Sequence, residues 1–160
     1  ELVDKSTLLP NPDYHALALF NKLVGSTVLS AASSDGDSVR AWASCARDPI
    51  STKTTTDEDV ATVSLVLLNY AEEEAEVSLE GLSISTDMPR SDYVLTADEL
   101  HSRVAKLNGA ELLVDPATGE LPAYTPVTVD DPSSAVTLPP QSYAMVVIGV
   151  DAASAPLCKP

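Results

Sequence analysis

The hydrophobic pattern of the chain changes period once, near residue 25. From Tyr14 to Val24 the apolar residues step by three and four, at Tyr14, Leu17, Phe20 and Val24, with Leu19 and Leu23 widening the stripe. That spacing predicts an amphipathic helix. Asn11 suits its N-cap, and Pro12 suits the first helical position, where a missing N–H costs nothing. Asp13 lies in the first turn, favourable with the helix dipole, and Gly25 suits a left-handed stop. An apolar face this wide asks for neighbours on two sides, and one sheet supplies only one.

Beyond Gly25 the pattern shortens to strands and turns. Thr27 to Ala32 and Val39 to Cys45 read as strands joined at Ser34-Asp35-Gly36-Asp37. Pro49 to Asp59 is polar and threonine-rich, a loop. Val60 to Asn69 reads as a central strand, and Ala75 to Leu79, after the acidic turn Glu72-Glu73-Glu74, as its partner. Pro89 to Asp92 reads as a turn before Tyr93 to Leu95. Asn108-Gly109 is the strongest hairpin signal, between Arg103 to Leu107 and Ala110 to Val114. Pro116 to Pro140 is proline-rich and reads as a surface meander. Ser142 to Val150 is a long final strand. About eight or nine strands at this spacing predict a mainly β fold, an antiparallel β-sandwich preceded by one α-helix. The natural division is 1–25 for the helical unit and 26–160 for the sandwich.

Composition narrows the core and the partners. Hydrophobic residues make up 44% of the 160 but aromatics only 4%, so the interior must be mostly Val, Leu and Ala. The single tryptophan, Trp42, is expected to face that core. The formal net charge of −15 disfavours nucleic acid, anionic membrane surfaces and sulfated polymers. No apolar run reaches the length of a membrane span, and no basic segment followed by an apolar stretch marks a signal peptide.

The chemistry-bearing residues do not assemble into a catalytic motif. His15 and His101 are far apart and read as ordinary surface or helix-flank histidines, with no zinc-ligand spacing. Asp35-Gly36-Asp37 and Asp57-Glu58-Asp59 lack the alternating ligand pattern of a calcium loop. The carboxylates from Glu72 to Glu76 fit an exposed turn better than the rigid pair of a glycosidase cleft. Ser26-Thr27 after Gly25 lacks the glycines and lysine of a phosphate loop. No catalytic, cofactor-binding or metal-binding residue is expected in this segment. Cys45 and Cys158 leave two readings, a pair of buried thiols or a disulfide stitching the tail to the sheet, the second implying an oxidising compartment.

Taken in order, several runs resemble one family. Pro10-Asn11-Pro12-Asp13-Tyr14, Leu19-Phe20 and Lys22-Leu23-Val24-Gly25 look like the last barrel helix of the heparanase-like glycoside hydrolases, family 79. Val28-Leu29, Val39-Arg40, Cys45 and Leu65 to Asn69 follow. Tyr93, Leu95, Ser102, Val104 and Leu107-Asn108-Gly109 come next. Gly119, Leu121-Pro122, Pro126, Leu138-Pro139, Ser142-Tyr143 and Cys158 complete the series. The resemblance covers nearly the whole chain and is weaker at Ser51 to Asp59 and Ser83 to Arg90.

That resemblance implies a (β/α)8 barrel carrying a C-terminal β-sandwich, in retaining enzymes that cleave β-glucuronides with two strand-end glutamates. Both glutamates would lie upstream of Glu1. The expected partners are that upstream barrel and, through it, a glucuronide or proteoglycan-type glycan, with no nucleic acid and no metal. The barrel-contact helix residues would be Tyr14, Leu17, Phe20 and Val24. The family pairs its two cysteines, which favours a Cys45–Cys158 bridge and a secreted, cell-wall, lysosomal or vacuolar setting, or one associated with a membrane. One departure stands out. Animal heparanases carry basic residues where this chain has Ser33-Ser34-Asp35-Gly36-Asp37, so a plant-type β-glucuronidase acting on less sulfated glycans is the nearer expectation. The rival readings are a non-enzymatic carbohydrate-binding or cell-surface sandwich, and a tail from another barrel glycosidase family.

Overall fold

The structure is a computed structural model, and it describes residues 1–47 and 60–158. The expected loop Pro49 to Asp59, with Asp57-Glu58-Asp59, lies outside the described residues. Among the described residues one helix, α1 (Pro12–Leu23), precedes ten strands. They are β1 (Val24–Leu29), β2 (Val39–Ala46), β3 (Val60–Asn69), β4 (Ala75–Val77), β5 (Arg90–Thr96), β6 (Lys106–Leu107), β7 (Ala110–Glu111), β8 (Val127–Val129), β9 (Val136–Leu138) and β10 (Ser142–Asp151).

Eight strands form one antiparallel sheet in the order β1-β2-β3-β10-β5-β6-β7, with β8 paired to β5. Its centre is the β3–β10 ladder, in register from Ser142↔Asn69 to Asp151↔Val60. Both strands are apolar on both sides because both faces of the sheet are covered. On one side lies the two-stranded sheet β4–β9. The core between the sheets holds Val63, Leu65, Leu67, Val136, Leu138, Val146 and Ile148. On the other side lies α1, which sends Leu19 and Leu23 against Val66, Tyr93, Leu95, Met145 and Val147. The mainly β, antiparallel sandwich expected from the periodicity is therefore present, with one helix closing a second core on the sheet's outer face.

Several local expectations give way to tertiary structure. Gly25 is not a left-handed stop. The chain leaves α1 directly into β1 through an extended Val24. A Cβ on Gly25 would stand 2.5 Å from the Cys45 carbonyl oxygen, so glycine is there for close strand approach. The strand at Ala75 does not pair with β3, whose two edges are taken by β2 and β10. It crosses to the opposite layer and pairs with β9. Arg90 to Asp92 is the start of β5 and not a turn, and the proline-rich stretch contains β8 and β9. The Asn108-Gly109 hairpin is as expected, with φ of 50° and 83° at its two central residues. Asn108 also fixes β5: its Oδ1 accepts from the Val94 N–H, and its Nδ2 donates to the Asp92 and Thr125 carbonyls.

Candidate functional site

The helix presents two different faces. His15, Leu19 and Leu23 are buried against the sheet, at the spacing of one helical stripe. Of the four expected contact residues, Val24 is enclosed in the chain's own second core and Tyr14 is half-buried. Leu17 and Phe20 are exposed, at 43% and 41%.

Further exposed apolar residues lie on the sheet face that carries α1. Trp42 lies opposite Val66, a member of the core that α1 closes. Directly opposed residues of an antiparallel pair share a face, so the Trp42 side chain stands on the helix side. It does not face the inter-sheet core, as its hydrophobicity had suggested, and is 49% exposed. Val28 is opposite Ser44, two residues along from Trp42 on the same face, and is 76% exposed.

One step further along β2 the surface acquires a cation. Arg40 shares this face and sits 5.9 Å from the centroid of the Tyr70 ring. Its Nε donates to the Tyr70 hydroxyl at 3.4 Å, and that hydroxyl donates to the Gly36 carbonyl at 2.7 Å. The hydrogen bond it donates to Tyr70, and the negative charge of nearby Asp37, keep the guanidinium's pKa above its ordinary value. Tyr70 is itself 40% exposed. Val28, Trp42, Arg40 and Tyr70 therefore form a strip beside α1 on one side of the sheet.

His15 departs from expectation. It is 2% exposed, not a surface histidine, and its Nδ1 lies 2.8 Å from the Tyr124 hydroxyl. Burial holds the imidazole below its ordinary pKa and holds the Tyr124 phenol above its own. His101 is exposed and apart from it. The pair anchors the start of α1 to the chain between β7 and β8, a tertiary contact without any motif in the sequence.

The deepest charged group is Arg90. Its Nε and Nη2 donate to Asp92 Oδ1 and Oδ2 at 2.8 and 2.9 Å. Its Nη1 donates to the carbonyls of Pro132, at 3.1 Å, and Ser134. With Asn108 these groups line a surface groove, and every one is already satisfied within the chain. Among the described residues no group of three or more His, Cys, Asp or Glu side chains could hold a metal ion. Glu72, Glu73 and Glu74 are exposed on their turn.

Cys45 and Cys158 form a disulfide that closes a sequence separation of 113 residues. It ties the end of β2 to the tail beyond β10, and Cys158 packs into the inter-sheet core.

The chain is a relative of glycoside hydrolases. It is 32% identical over 147 residues to a baicalin-β-D-glucuronidase of Scutellaria baicalensis, a match covering 91% of this chain and 25% of the relative. It is 32% identical over 150 residues to a hyaluronoglucuronidase of Hirudo nipponia, covering 92% and 29%. Heparanase-like protein 2 of Arabidopsis thaliana is 27% identical over 168 residues, covering 92% and 31%. Within that class, its similarity runs to glucuronidases and heparanase-like proteins over nearly its whole length. It spans a quarter to a third of the length of these relatives. No protein-family model matches it.

Proposed function

We propose that this chain is the non-catalytic C-terminal part of a heparanase-like retaining β-glucuronidase. In this reading α1 is the last helix of a (β/α)8 barrel, residues 26–160 are its sandwich domain, and the barrel lies upstream and carries both catalytic glutamates. The observation that carries the reading is the coverage: nearly all of this chain matches a minor share of glucuronidases several times its length. The exposed Leu17 and Phe20 on α1 support it, because an amphipathic barrel helix packs on its neighbours as well as on the sandwich.

The whole protein hydrolyses glycosidic bonds in glucuronic-acid-containing glycans or small glucuronides. The acidic turn at Asp35 and Asp37 favours unsulfated substrates over heparan sulfate. The disulfide favours a secreted, cell-wall, lysosomal or vacuolar location.

The test is a comparison of this chain with the full-length product of its gene. The full-length protein should release aglycone from an aryl β-glucuronide with retention of configuration, and this chain alone should be inactive. Activity in the isolated chain, or a coding sequence with no barrel before Glu1, would refute the assignment.

A further inference from the structure

We infer that Trp42 and Arg40 form a glycan-binding platform for an unsulfated chain carrying a uronic acid, separate from any catalytic cleft. The inference rests on the glucuronidase reading for the class of sugar, and on the geometry of β2 for the site. Trp42 exposes half of its side chain at a mid-strand position, next to exposed Val28. An exposed indole on a sheet strand offers an apolar surface on which the C–H side of a pyranose can stack.

Arg40 lies two residues away on the same face, about 7 Å along the strand. Its Nε is engaged by Tyr70, and the Tyr70 ring beneath it is anchored to Gly36. The guanidinium lies over the Tyr70 ring, while its Nη1 and Nη2 groups have no protein acceptor among the described residues. Two parallel N–H donors are the geometry that receives a carboxylate bidentately. A uronic acid stacked on Trp42 can extend its carboxylate toward them. Among the described residues no salt bridge occupies Arg40, although Asp37 is near enough to influence it.

Charge sets the kind of glycan. The net charge of −15 repels a densely sulfated polymer along its length. A single carboxylate senses mainly charges within about 8 Å at physiological salt, where Arg40 attracts it with two open N–H groups and Asp37 opposes it. The platform therefore selects a sparsely charged uronate over a polyanion.

Trp42 is the sole tryptophan, so its fluorescence reports directly on the site. The 160-residue chain is titrated with a glucuronate-terminated oligosaccharide, with its carboxyl-reduced analogue and with a sulfated heparin oligosaccharide. Saturable binding of the first, about tenfold tighter than the second and no weaker than the third, is expected. Arg40→Gln should erase the advantage of the carboxylate, and Trp42→Ala should abolish binding of both unsulfated ligands. If either variant melts lower than the wild type, Arg40→Lys and Trp42→Phe replace them, with partial loss expected for each. No saturable binding by the wild type, or equal binding by the variants, overturns the proposal. So does protection of Trp42 from hydroxyl-radical oxidation in the glycan-free full-length protein, which would place it under another domain. Binding is read without hydrolysis, so failure here leaves the glucuronidase reading intact, and inactivity of the full-length protein leaves this result standing.

Discussion

Arg90 and Asp92, two residues apart on β5, form a bidentate ion pair inside the molecule, with Arg90 only 2% exposed. The same guanidinium binds the carbonyls of Pro132 and Ser134, so it fastens the segment between β8 and β9 to the main sheet. Removing one partner strands the other as a buried charge. Arg90→Met or Asp92→Leu alone should cost about 3–5 kcal/mol. The double variant should recover part of that loss, because a buried pair costs much of its attraction in desolvation. Urea unfolding of the three variants measures this, and strict additivity would show that the two groups are not coupled.

Reduction of the Cys45–Cys158 bridge should lower stability by about 4–5 kcal/mol, from the loop entropy released over a separation of 113 residues. The midpoint of denaturant unfolding with and without reductant tests this. Cys45→Ala with Cys158→Ala should reproduce the reduced protein.

His15 makes stability pH-dependent with a defined sign. Its native pKa is below the ordinary value of 6.5 because burial disfavours the cation. The unfolded chain therefore binds a proton first. The stabilisation is fully present above about pH 6.5 and is lost as pH falls from there toward the lower native pKa. Thermal melting of wild type and His15→Gln across pH 5–8 should show a step in the wild type that the variant lacks.

The two faces of α1 should respond oppositely. Leu19→Ala, at a fully buried site, should cost about 2–5 kcal/mol. Phe20→Glu should change the stability of this chain by less than about 0.5 kcal/mol, since the side chain is substantially exposed. On the barrel packing proposed above, Phe20→Glu should instead be strongly destabilising in the full-length protein, as a charge buried between α1 and its neighbours in the barrel. Differential scanning calorimetry of both proteins distinguishes the cases.

Gly25 carries a further check. Gly25→Ala would drive a methyl group into the Cys45 carbonyl, a backbone contact that cannot rotate away. A loss of about 1–3 kcal/mol is expected in denaturant unfolding, whereas a left-handed cap would have shown its penalty through a positive φ that this residue does not have.

The elements that were legible in the sequence are those whose signal is local. Asn11-Pro12 fixed where the helix starts, although the Asn11 side chain donates to the Glu1 carbonyl and leaves the helix N–H groups alone. Val60 to Asn69 and Ser142 to Val150 were readable because a strand covered on both faces is apolar throughout. The Asn108-Gly109 turn was readable because its positive φ values suit few residues. The ends of β5 and the strands β8 and β9 were not. Arg90 and Asp92 look like turn residues until the carbonyls of Pro132 and Ser134 are brought to them.

The chain by itself determined the helix, the two central strands, the hairpin turns and an acidic surface. Each follows from periodicity, turn chemistry or charge within a few residues. Only the tertiary structure decided which face each element turns inward. It turned His15 of α1 inward against Tyr124, moved Ala75–Val77 to the second layer and left Trp42 outside beside Arg40. Those outcomes depend on which strand occupies the neighbouring edge and which layer covers a face, and residues distant in the sequence set both.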